Sequence, residues 1–125
     1  MEVEFTIPGR LDGFNDYVRA CRSGAQVGAE AKRRNERIVK YYVTEQLKGI
    51  RFEKPVKITI DWYEKDGRRD PDNICGFGHK VILDALVKGR VLKDDSRKYV
   101  IGLEDRFYVD PKNPRIEITI SEGGS

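Results

Sequence analysis

The stretch Val56-Lys57-Ile58-Thr59-Ile60-Asp61-Trp62-Tyr63 decides the fold class. Val56, Ile58, Ile60 and Trp62 fall on one face and Lys57, Thr59, Asp61 and Tyr63 on the other. That is the period-two pattern of a strand with one side in a core, and it makes Trp62 a core residue. A polar turn, Glu64-Lys65-Asp66-Gly67, follows it. Asp70-Pro71 then opens a helix, with a carboxylate placed to cap and a proline at the first helical position. Ile74, Phe77, Val81, Ala85 and Leu86 supply its core face, and Lys88-Gly89 ends it.

Upstream, Val3 to Ile7 reads as a first strand stopped by Pro8-Gly9. A short helix starts at Gly13 or Asn15, runs through Tyr17, Val18 and Cys21, and is interrupted by Gly24 and Gly28. A long helix follows from about residue 30 to residue 47, with Ile38, Tyr41, Tyr42 and Leu47 at helical spacing and Gly49 as its stop. Downstream, 99–109 and 115–121 read as a hairpin-like pair of strands around Pro111 and Pro114. The order strand, helix, helix, strand, helix, strand, strand predicts a small α+β domain with a mixed or mostly antiparallel sheet. A single domain is expected over residues 1–121, with 122–125 a disordered tail.

With 125 residues, 38% hydrophobic and 36% charged, the chain has room for one modest core under a charged surface. It contains no apolar run of membrane-spanning length and no visible secretory signal, so a cytoplasmic setting is expected. Two distant cysteines and one histidine argue against a structural zinc site and fit reduced packing residues. The net charge of +3 and pI of 8.9 say little alone. Two basic stretches say more: Lys32-Arg33-Arg34 with Arg37 and Lys40, and Arg90, Lys93, Arg97 and Lys98. They suit either phosphate contacts or solvated helix faces.

The chemistry-bearing residues are acidic. Asp70 and Asp72 flank Pro71 at the helix mouth, with Arg68 and Arg69 before them and Asn73 after. Asp94-Asp95 follows the same helix. Capping and the helix dipole explain Asp70 and Asp72 structurally, just as a Lys80–Asp84 pair explains those two residues. His79 fits packing or hydrogen bonding, and Asp94 a loop cap. The functional reading is a metal site. Two carboxylates about 4 Å apart repel by about 4 kcal/mol at an effective dielectric near 20, which a divalent cation relieves. Hard Mg²⁺ takes such oxygen ligands and supports phosphodiester hydrolysis.

The runs Arg68-Arg69-Asp70-Pro71-Asp72-Asn73-Ile74, Lys80-Val81-Ile82-Leu83-Asp84-Ala85-Leu86-Val87-Lys88 and Val91-Leu92-Lys93-Asp94-Asp95 resemble the core of the RusA family of Holliday-junction resolvases. These are phage- and prophage-associated endodeoxyribonucleases, and the resemblance spans about residues 56–120. It implies that Asp70, Asp72 and Asp95 are catalytic and hold Mg²⁺ (or Mn²⁺), with no small-molecule cofactor, and that Lys80 assists catalysis. It makes Arg69 a contact to DNA or the scissile phosphate; Arg68 and Asn73 beside the acids, and Lys93, Arg97 and Lys98 of the second basic stretch, are the further candidates for DNA contacts. The substrate implied is branched DNA, a four-way junction cut by paired nicks that leave 5′-phosphate ends. One acidic cluster per chain cannot cut two strands symmetrically, so a homodimer is expected. The segment between Asn73 and Asp84 is about four residues longer than in the best-known members, close to one helical turn, and Gly76 and Gly78 in it mark a kink or a close DNA approach. The alternatives are a non-catalytic DNA-binding module and a nuclease acting on flaps, forks or duplex DNA.

Overall fold

The computed structural model describes residues 1–123. Its elements are β1 (Glu2–Pro8), α1 (Phe14–Ser23), α2 (Ala25–Gln46), β2 (Val56–Glu64), α3 (Pro71–Cys75), α4 (Gly78–Lys88), β3 (Val100–Val109) and β4 (Arg115–Glu122). The strands form one mixed sheet in the order β1-β4-β2-β3. The fold class is the α+β arrangement expected from the element order.

β2 behaves as its alternation predicts. Val56, Ile58, Ile60 and Trp62 are all buried, opposite Ile120, Ile118 and Ile116 of β4 and in one cluster with Val39 and Val43 of α2 and Val81, Ile82, Ala85 and Leu86 of α4. Burying each such side chain is worth about 1.5–3 kcal/mol. β2 also departs from the pattern, because Asp61 and Glu64 are buried too, each held by an arginine: Asp61 by Arg106, Glu64 by Arg69.

The last two strands are not a hairpin. β2 lies between them, antiparallel to β4 and parallel to β3. After β3 the chain hooks over the end of β2, where the Asp110 N–H donates to the Glu64 carbonyl at 2.7 Å. Arg115 secures the crossing. It donates to Asp110 and Glu117, and its guanidinium stacks 3.8 Å over the Tyr63 ring. β3 is left as an edge strand with Ile101, Leu103, Phe107 and Val109 exposed.

Three boundaries differ from expectation. α2 begins at Ala25, so Gly24 (φ +150°) breaks the chain between α1 and α2 whereas Gly28 lies inside α2. A Cβ at Gly28 would sit 2.6 Å from Cys21 Sγ, so this glycine serves the close crossing of the two helices. Ala31, Asn35, Val39 and Val43, rather than Ile38 and Tyr41, form the inward stripe of α2; Ile38 and Tyr41 are exposed. The helix after Asp70 is two helices, and Gly78 marks where it approaches the sheet: a Cβ there would lie 2.6 Å from Trp62 Cη2. Close packing on tryptophan, not on DNA, accounts for that glycine. Of the expected tail, Glu122 closes β4, and the Gly123 N–H donates to the Pro55 carbonyl at 2.8 Å; the rest lies outside the described residues. Both cysteines are free, Cys21 exposed and Cys75 half-buried.

Candidate functional site

The segment between the parallel neighbours β2 and β3 carries the candidate catalytic and metal-binding residues. Asp70 is the N-cap of α3, its Oδ1 accepting the Asn73 N–H at 2.9 Å, with Pro71 in the first turn as expected. Asp70 and Asp72 are exposed. Asn73 is a joint: its Oδ1 accepts the Asn15 N–H at 2.9 Å, tying α3 to the start of α1. A Cβ on Gly13 would lie 2.5 Å from that oxygen, so glycine is what permits the approach.

Arg69 points inward. Nε and Nη2 each donate to Glu64 at 2.7 Å, and Nη1 reaches the Leu11 carbonyl at 3.4 Å. Its side chain is 11% exposed and that of Glu64 9%, so this is a two-pronged, nearly buried pair that fixes the turn before Asp70. Arg68 beside it is 88% exposed.

Beyond α4, buried Val91 and Leu92 anchor the returning loop. Their N–H groups donate to the Leu86 carbonyl, and the Val91 carbonyl accepts the Phe52 N–H. Asp95 is thereby carried back to α4, where Lys80 Nζ stands 3.8 Å from its Oδ2 and 3.4 Å from Asp84 Oδ1. Asp84 also receives Lys32 at 3.0 Å. Burial pushes the Asp84 carboxyl up, but Lys32 and Lys80 more than offset it and leave its pKa below the usual value. The intrahelical pair is therefore present, and Lys80 additionally faces Asp95.

The basic stretches are partly neutralised. In α2, Arg33 and Arg37 share Glu30 and Arg34 meets Asp12. Lys93 pairs with Glu53. Arg97 and Lys98 are exposed on the loop that follows Asp95. Among the described residues, one set of three potential ligands has its donor atoms within 4.8 Å of one another: Cys75, His79 and Asp105. Asp70, Asp72 and Asp95 do not come together within that separation. Their chemistry nonetheless fits Mg²⁺, with three hard oxygen donors on exposed or half-exposed side chains that leave room for water.

A family model, endodeoxyribonuclease RusA, matches residues 15–121. The chain belongs to the RusA family. DNA endonucleolysis is therefore the activity of its family, and the matched span runs from the second residue of α1 to the next-to-last of β4. No individually curated protein matches this RusA-family chain. Among the described residues, no helix is long and apolar enough to cross a membrane.

Sequence reasoning did not anticipate the Asp61–Arg106 and Glu64–Arg69 pairs or the role of Asp105. Asp105 Oδ1 accepts Trp62 Nε1–H at 2.8 Å, and both its oxygens lie 2.8 Å from His79 Nε2. The one available signal was charge inside strand-forming segments, at Asp61, Asp105 and Arg106. Naming the partners of Asp61 and Asp105 required the parallel β2–β3 register.

Proposed function

We propose that this protein is a Mg²⁺-dependent endodeoxyribonuclease that resolves four-way DNA junctions in recombination and repair. In this reading it works in the cytoplasm as a homodimer making paired nicks, and the chain is of prophage type. The observation that carries the reading is the family match, and the return of Asp95 to Lys80 supports it.

Asp70, Asp72 and Asp95 would hold the metal, Mg²⁺ or Mn²⁺, which when bound neutralises the phosphate and activates the attacking water. The chain's own part is positioning. The Glu64–Arg69 pair and the Asn73–Asn15 hydrogen bond fix the turn that displays Asp70 and Asp72. Lys80, 60% exposed, presents an ammonium where charge grows on the phosphate oxygens. Arg68, Arg97 and Lys98 contact flanking phosphates from exposed positions, with Lys93 once released from Glu53; Asn73 and Arg69 act on DNA through the turn they hold. The exposed apolar residues of edge strand β3 supply a surface for a second copy.

The experiment is cleavage of a synthetic four-way junction, a fork and a linear duplex with and without Mg²⁺, using Asp70→Asn as control. The expected result is metal-dependent, symmetric nicking of the junction, lost in Asp70→Asn while junction binding persists. Shifted but uncut junction under every metal would overturn the catalytic reading. Equal cutting of all three substrates would overturn the junction preference.

A further inference from the structure

We propose that Cys75, His79 and Asp105 form a second cation site, for a transition metal of the Zn²⁺ class, which clamps the α3–α4 elbow to edge strand β3. It uses none of Asp70, Asp72 and Asp95 and stands whether or not the nuclease reading does.

The donors come from three elements. Cys75 ends α3, His79 lies in the first turn of α4, and Asp105 sits in β3 opposite Ile60. Their ligand atoms already lie within 4.8 Å of one another. Bonds of about 2.0–2.3 Å to a tetrahedral metal leave neighbouring ligands roughly 3.5 Å apart, so closure asks only for small side-chain rotations. Trp62 Nε1–H holds Asp105 Oδ1 at 2.8 Å, the kind of outer contact that orients ligands in metal sites, and a metal bound at Oδ2 would replace that oxygen's 2.8 Å contact with His79 Nε2. All three residues are half-buried, so the donors are within reach of an ion from solvent.

One sulfur, one imidazole nitrogen and one carboxylate oxygen select a borderline cation over Mg²⁺, which demands oxygen. The sequence concealed the site, because Asp105 is 26 residues from His79 and the two meet only through the parallel crossover. A nucleophilic role for Cys75 is disfavoured. Burial pushes its thiol up to about 11, with Asp105 and Asp72 adding to the shift, so without metal it is protonated.

The test is a Co²⁺ titration of the Cys21→Ser protein, in which Cys75 is the one remaining thiol, in Mg²⁺-free buffer. The expected result is a thiolate-to-cobalt charge-transfer band with tetrahedral ligand-field absorption that saturates at one equivalent, whatever further Co²⁺ the aspartates take up without such a band. Zn²⁺ should displace the thiolate-bound Co²⁺ stoichiometrically and excess Mg²⁺ should not. Adding Cys75→Ser should abolish the band, and His79→Ala or Asp105→Asn should weaken binding by more than about tenfold. Asp70→Asn should leave the thiolate band and its saturation point unchanged. Zn²⁺ should also slow alkylation of Cys75 in the otherwise native chain, a readout independent of whether any site variant folds. Absence of the band with undiminished alkylation would overturn the proposal. So would loss of the thiolate band in Asp70→Asn, which would tie it to the aspartate cluster.

Discussion

Lys80 Nζ stands 3.8 Å from Asp95 Oδ2, and this contact joins α4 to the loop that returns from it. Lys80 is 60% exposed and Asp95 32%, so neither is needed to fill the core. Replacing Lys80 by Ala is expected to lower single-turnover junction cleavage by roughly 10²-fold and to leave the melting temperature within a few degrees of wild type. A rate within twofold of wild type would remove Lys80 from the mechanism.

Asp70 has two separable duties, because its carboxylate caps α3. Asn is as good an N-cap as Asp, whereas Ala forfeits about 1 kcal/mol. Urea unfolding should place Asp70→Asn near wild type and Asp70→Ala about 1 kcal/mol below it, with both inactive in cleavage. Equal stability of the two variants would mean that the cap contributes nothing.

Arg69 and Glu64 are both nearly buried, so removing one strands the other's charge. Arg69→Ala is expected to cost on the order of 3 kcal/mol in chemical denaturation, and a further Glu64→Gln to recover part of it. An unaltered unfolding midpoint in Arg69→Ala would show the pair to be dispensable and return Arg69 to a direct DNA role.

The depressed pKa of Asp84 gives a pH signature. A carboxyl whose folded pKa lies below its ordinary 3.8 contributes stability that is present above that value and lost as pH falls through the folded one. The gap in melting temperature between wild type and Asp84→Asn should therefore be full at neutral pH and shrink below about pH 4. A gap that stays constant down to pH 2 or so would exclude the linkage.

Gly78 faces Trp62, the chain's one tryptophan. Ala at Gly78 must push the indole or α4 aside and is expected to cost about 1–3 kcal/mol. Unfolding followed by tryptophan fluorescence reads this directly. An unchanged midpoint with an unchanged native spectrum would mean that the contact relaxes freely.

Much of this fold was legible because its determinants are local. The alternation from Val56 to Trp62, the Asp70-Pro71 cap and the inward stripe from Ile74 to Leu86 depend on neighbours in the chain. What escaped was non-local. Ile38 and Tyr41 have helical spacing, but so do Ala31, Asn35, Val39 and Val43, and only the direction of the sheet chooses between the two stripes. The 99–109 and 115–121 segments look like a hairpin because few residues separate them; that β2 fits between them is decided by β2's two-sided pairing. At the site, the motif residues were visible as a set. The partners that bind Arg69 and Asn73 inward, Glu64 and Asn15, were hidden by the same dependence on tertiary placement.

The parallel register of β2 and β3 has a consequence for how the family diversifies. Everything from Arg68 to Asp95 is one excursion that departs from a strand and returns to its immediate neighbour, so both exits are pinned by the ladder whatever the length between them. Extra residues at Gly76 to His79 can then be absorbed as an elbow without displacing either exit. The excursion is in effect an exchangeable cassette, and grafting it between members of different length should preserve the sheet while altering the spacing of Asp72 and Lys80.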